Sequence, residues 1–101
     1  MGWAGSHITK LRNGITVKFR PGGNSMAGRV ENKQLCTVEP VVDPSTVKVG
    51  DVVLCRVRGN EYLHLVKAIQ DGRFQIGNNK GRINGWTGAN SIYGKLVKVE
   101  D

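Results

Sequence analysis

Val52-Val53-Leu54-Cys55-Arg56-Val57-Arg58-Gly59-Asn60-Glu61-Tyr62-Leu63-His64-Leu65-Val66-Lys67-Ala68-Ile69-Gln70 is the stretch that decides the fold of this 101-residue chain. Residues 52–58 are rich in β-branched side chains and residues 61–70 alternate, so each reads as a strand, with Gly59-Asn60 as a two-residue hairpin turn between them. Alternation puts Leu63, Leu65, Lys67 and Ile69 on one face of the second strand, and Tyr62, His64, Val66 and Ala68 on the other. The period of two continues outward. Asp71-Gly72 predicts a turn into a strand over residues 73–76, and residues 92–100 form a last strand with Val97 and Val99 on one face. Upstream, residues 35–39 make a short strand stopped by Pro40, and Ile15-Thr16-Val17-Lys18-Phe19-Arg20 alternates with Ile15, Val17 and Phe19 together. The one helical candidate is a turn over residues 25–30, too short to stand alone. Residues 77–91, with Gly77, Gly81, Gly85 and Gly88 among Asn78, Asn79, Asn84 and Asn90, read as a long irregular loop. The expected architecture is a small, mainly β domain, a curled or sandwich-like antiparallel sheet over residues 15–101, preceded by an N-terminal tail over residues 1–14.

Composition agrees with one folded domain. Apolar residues make up 39% of the chain and cluster between Gly, Asn and Asp, which argues against disorder. No run approaches the about 18 consecutive apolar residues of a membrane span, and the first residues lack the basic start and apolar run of a secretory signal. Cys36 and Cys55 lie in strand-like stretches without metal-ligand spacing. They read as small buried thiols of a reducing compartment, which favours the cytoplasm. No metal site and no cofactor are implied by two scattered histidines.

The candidate chemistry starts at Gly22-Gly23-Asn24-Ser25-Met26. A serine straight after a Gly-rich turn can present its hydroxyl with its own N–H turned outward, as a nucleophile beside an oxyanion donor requires. A turn serine without chemistry has the same look. Lys67 stands among aliphatic neighbours. If its face is buried, desolvation favours the neutral amine, which within reach of a serine hydroxyl is a competent base. A lysine snorkelling to solvent at a strand edge is the alternative.

Gly23-Asn24-Ser25-Met26, Val47-Lys48-Val49-Gly50-Asp51-Val52-Val53, Val66-Lys67-Ala68-Ile69, Gly77-Asn78-Asn79 and Ile92-Tyr93-Gly94-Lys95-Leu96-Val97 resemble, in order, the boxes of the LexA-type and signal-peptidase-type serine proteases. The resemblance covers about residues 20–99. It implies a Ser/Lys dyad peptidase, possible self-processing, and a curled β core. Ser25 would be the nucleophile and Lys67 the general base, with the backbone at Ser25 and Met26 supporting the oxyanion. The chain departs from that pattern at Ala68, where an arginine is common, at Asn78 in place of an aspartate, and at Gly81-Arg82-Ile83-Asn84-Gly85-Trp86, where a Ser-Asp-Ser-Arg usually follows. Substrate would be a polypeptide added as a strand to an open sheet edge.

Other assignments compete. His64 is an alternative base, but strand phase sends it to the face opposite Lys67, so one of the two must point away from Ser25. His7 is expected to be solvated in the tail. Ala4-Gly5 is a candidate self-cleavage bond. The net charge of +7, with 15 Lys and Arg against 8 Asp and Glu, allows a different class altogether. Arg56, Arg58, Lys80, Arg82 and Trp86 could form a basic surface for nucleic acid or an acidic protein on a catalytically silent scaffold.

Overall fold

The computed structural model describes residues 3–101. Among the described residues one α-helix, α1 (Gly5–Arg12), is followed by seven strands, β1 (Val17–Phe19), β2 (Leu35–Pro40), β3 (Val52–Val57), β4 (Asn60–Gln70), β5 (Arg73–Gly77), β6 (Ile83–Gly88) and β7 (Ile92–Glu100), with short 3-10 turns at Pro44–Thr46 and Ala89–Ser91. They form a single antiparallel sheet in the order β1-β2-β7-β3-β4-β5-β6. The fold is mainly β, as the alternation predicts. The sheet curls until β6 returns toward the end of β3, where the Thr87 hydroxyl donates to the Arg56 carbonyl at 2.8 Å.

The β3–β4 hairpin is the spine. Its turn is Arg58-Gly59, one residue earlier than expected, both with positive φ (51° and 82°). That conformation matches the twist of the flanking strands. Asp71-Gly72 turns in the same way, at 52° and 73°, as expected. Both faces of the hairpin are buried, which explains its nearly continuous apolar run. Val52, Leu54, Leu63 and Leu65 join a core with Met26, Val38 and Tyr93 beneath α1. Val53, Cys55, Val57 and Val66 join Phe74, Ile76 and Ile92 inside the curl.

Two sequence expectations change. Residues 3–14 are not a loose tail: Ala4, Ile8 and Leu11 are buried at helical spacing, and α1 packs them onto the sheet. The helix stops where Gly14, at φ 79°, lets the chain reverse, with N–H groups of Asn13, Gly14 and Ile15 returning to its last carbonyls. The Ala4 carbonyl accepts from Ile8 N at 2.9 Å. The Ala4-Gly5 bond is therefore the buried start of a helix and not an extended segment free to reach a nucleophile. Within residues 77–91, β6 replaces the expected loop, because its pairing with β5 supplies what local propensity withholds. Ile15 lies outside β1 and is exposed, while Val17 is buried and Phe19 half-buried. Residues 25–30 form turns, not a helix.

Candidate functional site

The segment between β1 and β2 is irregular but pinned along its length. Gly23 N donates to Asn32 Oδ1 at 2.8 Å, and Lys33 N to the Pro21 carbonyl at 2.8 Å. Met26 and Val30 are buried anchors. From the far side of the sheet Asn79 clamps the same loop. Its N–H donates to the Ser25 carbonyl at 3.0 Å and its side-chain amide to the Ala27 carbonyl at 2.7 Å. Gly28 permits this closeness, since a Cβ there would lie 3.0 Å from Asn79 Nδ2. The loop is thus held at the Ser25 and Ala27 carbonyls, while Ser25 itself is exposed.

The partner of that hydroxyl is His64. Ser25 Oγ lies 3.2 Å from His64 Nε2, and His64 Nδ1 lies 2.7 Å from Asn84 Oδ1. An amide oxygen only accepts, so Nδ1 carries the proton and Nε2 presents its lone pair to the serine. His64 is buried (8% exposed) and its ring stacks on Tyr62, two residues back on the same strand face, at 4.9 Å between centroids. Burial holds the imidazole below its usual value of 6.5, against the opposite pull of the Asn84 hydrogen bond. At neutral pH the ring is the uncharged form that a base must be.

Asn84 reaches the ring through a bulge. Ile76 pairs with Gly85 and Gly77 with Ile83, so residue 84 is the extra one in β6. A second bulge handles Lys67. Val66 pairs with Ile76 and Ala68 with Gln75, leaving Lys67 as the unpaired residue of β4. Its side chain runs over Gly77, where a Cβ would meet Lys67 Cε at 3.0 Å and Cγ at 3.1 Å. Among the described residues, the Lys67 ammonium makes no hydrogen bond or ion pair. The hydrogen-bond partner of Ser25 Oγ is thus His64, where the sequence reading expects Lys67. The opposed phases of His64 and Lys67 were readable; which face the Gly-rich turn would meet was not.

Neither the Ser25 nor the Met26 N–H donates to another group among the described residues. The Met26 side chain plugs the core. His7 is not solvated: it stacks on Phe19 at 4.4 Å. Beside Ser25 and His64 opens a groove of about 360 Å³ whose walls include Trp3, Phe19, Tyr62 and Leu63. The β4 edge along it is open. β5 leaves β4 at the Leu65–Gly77 pair, so residues 60–64 are paired on the β3 side alone.

The residues of the expected basic surface have the following places. Arg56 bonds Glu61 at 2.8 Å and lies over the Tyr93 ring. Arg58 lies at the hairpin turn, against Gly85. Lys80 and Arg82 belong to a loop whose N–H groups at both residues are capped by Asn78 Oδ1, and Trp86 stands across from Gln75 on β6, 37% exposed. Cys36 and Cys55 are buried free thiols, and burial pushes Cys55 up to about 12. Among the described residues no cluster of His, Cys, Asp or Glu could hold a metal ion, and no helix is long and apolar enough to cross a membrane. Comparison with known families finds no family model that matches this chain, and no curated protein or solved structure matches it either.

Proposed function

We propose that this protein is a serine peptidase that cleaves a peptide bond of an extended polypeptide, with Ser25 as nucleophile and His64 as base. One observation carries the reading: a continuous Ser25–His64–Asn84 hydrogen-bond relay at the edge of an open groove. In the first step Ser25 Oγ attacks the scissile carbonyl carbon while its proton passes to His64 Nε2. The imidazolium so formed is steadied by the Asn84 oxygen on Nδ1. Negative charge on the carbonyl oxygen is met by the free N–H groups at Ser25 and Met26. His64 then protonates the leaving amine and the C–N bond breaks, leaving an acyl ester on Ser25. Water, deprotonated by the same nitrogen, attacks that ester, releases the acid and restores the serine.

The substrate docks as an added strand. In the two-residue hairpin the narrow pairs alternate, so Glu61 and Leu63 turn their peptide groups away from β3, toward the groove. The resemblance to the LexA and signal-peptidase clan supports the same chemistry, with His64 taking the role that the resemblance gives to Lys67. The curled core is in keeping with that clan, and the free buried thiols favour a reducing compartment such as the cytoplasm. No cofactor enters the reaction.

A fluorophosphonate probe tests the reading. Labelling of the wild type on Ser25, and its loss in Ser25→Ala and His64→Ala at retained fold, is the expected result. An unlabelled wild type overturns it, and salt-sensitive binding of nucleic acid by both wild type and Ser25→Ala would point instead to a silent binding module.

A further inference from the structure

We infer that the groove beside Ser25 is a specificity pocket for a bulky apolar side chain, aromatic by preference, carried by the substrate near its scissile bond. The inference rests on the peptidase reading and names the substrate class it serves.

Apolar walls come from four separate parts of the chain, and His7, its Nδ1 buried without a partner, lines the groove beside them. Trp3 enters from the start of α1, Phe19 from β1, Met26 and Val30 from the nucleophile loop, and Tyr62 and Leu63 from β4. Phe19 is fixed before any ligand arrives, stacked on His7 at 4.4 Å and tilted against Trp3 at 5.6 Å. A ring held in place costs little entropy when a second ring packs on it. The groove's volume of about 360 Å³ is more than twice the ~150 Å³ of an apolar cavity that takes up benzene. An alanine side chain would leave most of that space unfilled.

Charged groups around the groove are already spoken for. The Glu61 carboxylate bonds Arg56 at 2.8 Å. A guanidinium nitrogen of Arg20 donates to the Lys33 carbonyl at 2.9 Å. Glu31 accepts from Gly28 N at 2.7 Å. A charged substrate side chain would have to displace one of these bonds, whereas an apolar one loses only its contact with water. Position does the rest. A strand on the β4 edge sends alternate side chains to one side, so a residue facing the pocket lies within a residue or two of the carbonyl at Ser25.

The test compares the labelling rates of Ser25 by two peptidyl phosphonates that differ only in one side chain, alanine or phenylalanine, beside the phosphorus. A small fluorophosphonate is run in parallel. The phenylalanine probe is expected to react at least about tenfold faster, the scale of burying several methylene equivalents, and Phe19→Ala and Trp3→Ala should each bring the ratio toward one. Equal rates, or a faster alanine probe, overturn the pocket while leaving the nucleophile standing. Failure of the small fluorophosphonate to label the wild type is a different outcome, since it removes the peptidase reading and the pocket with it. If Phe19→Ala does not fold, the ratio in Trp3→Ala, a half-exposed residue, decides.

Discussion

Two bulges flank the site, one in β6 at Asn84 and one in β4 at Lys67, and they have opposite consequences. The first aims an amide oxygen at His64 Nδ1 and completes a relay. The second turns a lysine out of the ladder and lays its stem across Gly77. The same backbone device therefore wires one polar side chain into the hydrogen-bonded relay and leaves the other without a polar partner among the described residues. What differs is the neighbour. Residues 60–64 have an open edge that the Ser25 loop can approach, while residues 65–70 are closed in by β5 on that side. The Ser25–His64–Asn84 relay belongs to the half of β4 that the sheet leaves uncovered.

The contrast is broken most directly at its active end. Ser25→Ala and His64→Ala should each lower kcat/KM by at least about 10³-fold on a cleavable peptide, since nucleophile and base act as a unit. The double variant should lose little beyond either single one. Additive losses would mean that the two side chains do not share a step.

Asn84 comes next. Asn84→Ala should cost on the order of 10²-fold, because the ring loses the partner that fixes its tautomer. The pH profile separates this role from a merely structural one. Burial favours the neutral ring in the fold, so the acid limb of kcat/KM lies below pH 6.5, falling about tenfold per pH unit under the folded value. Asn84→Asp places a carboxylate beside the ring, which favours the imidazolium and moves that limb to higher pH. A limb that does not move in Asn84→Asp would deny that residue 84 bears on the ring. The same ring links pH to stability. As pH drops below 6.5 the unfolded chain takes up a proton that the folded chain resists, so stability is full above 6.5 and declines through the window beneath it.

How far the sequence reaches into this picture can be read from these same residues. Strand alternation specifies β3, β4 and β7, and Asp71-Gly72 specifies its turn, because those signals are local. α1 carries a helical spacing in Ala4, Ile8 and Leu11, yet it has Gly5 at its start, β-branched Ile8 and Thr9 within, and no side-chain cap. Its stability comes from the sheet it covers, which no local signal reports. Ser25 stands out by its glycine turn. His64 and Lys67 are distinguishable only as opposite faces, and choosing between them needs the path of a loop some forty residues away. Asn84 carries no sequence signal at all: it is placed by a bulge, and a bulge is a property of pairing.

The bulge beyond the site has its own requirement. Gly77 leaves room for both the Lys67 stem and the Arg82 carbonyl, the latter 2.5 Å from where a Cβ would be. Backbone cannot swing away as a side-chain end can, so Gly77→Ala should destabilise the fold by about 1–3 kcal/mol. Urea denaturation measures it. An unchanged midpoint would show that β5 and the turn after it yield easily, and the division of β4 into a covered and an uncovered half would weaken.

The smallest expected effect is the most telling. Lys67→Met keeps an unbranched stem to lie over Gly77 and removes only the amine, which has no polar partner among the described residues. A change of this kind away from bonded networks is worth about 0.5 kcal/mol or less, or about twofold in kcat/KM. The result discriminates because the serine hydroxyl gives its proton to one base, the amine or the imidazole. If Lys67→Met matched the loss at Ser25→Ala while the protein stayed folded, the amine would be the proton acceptor. The relay from Ser25 to His64 and Asn84 would then be scaffolding. A near-wild-type rate in Lys67→Met beside a dead His64→Ala assigns the proton to the ring, on the side of β4 where the edge is open.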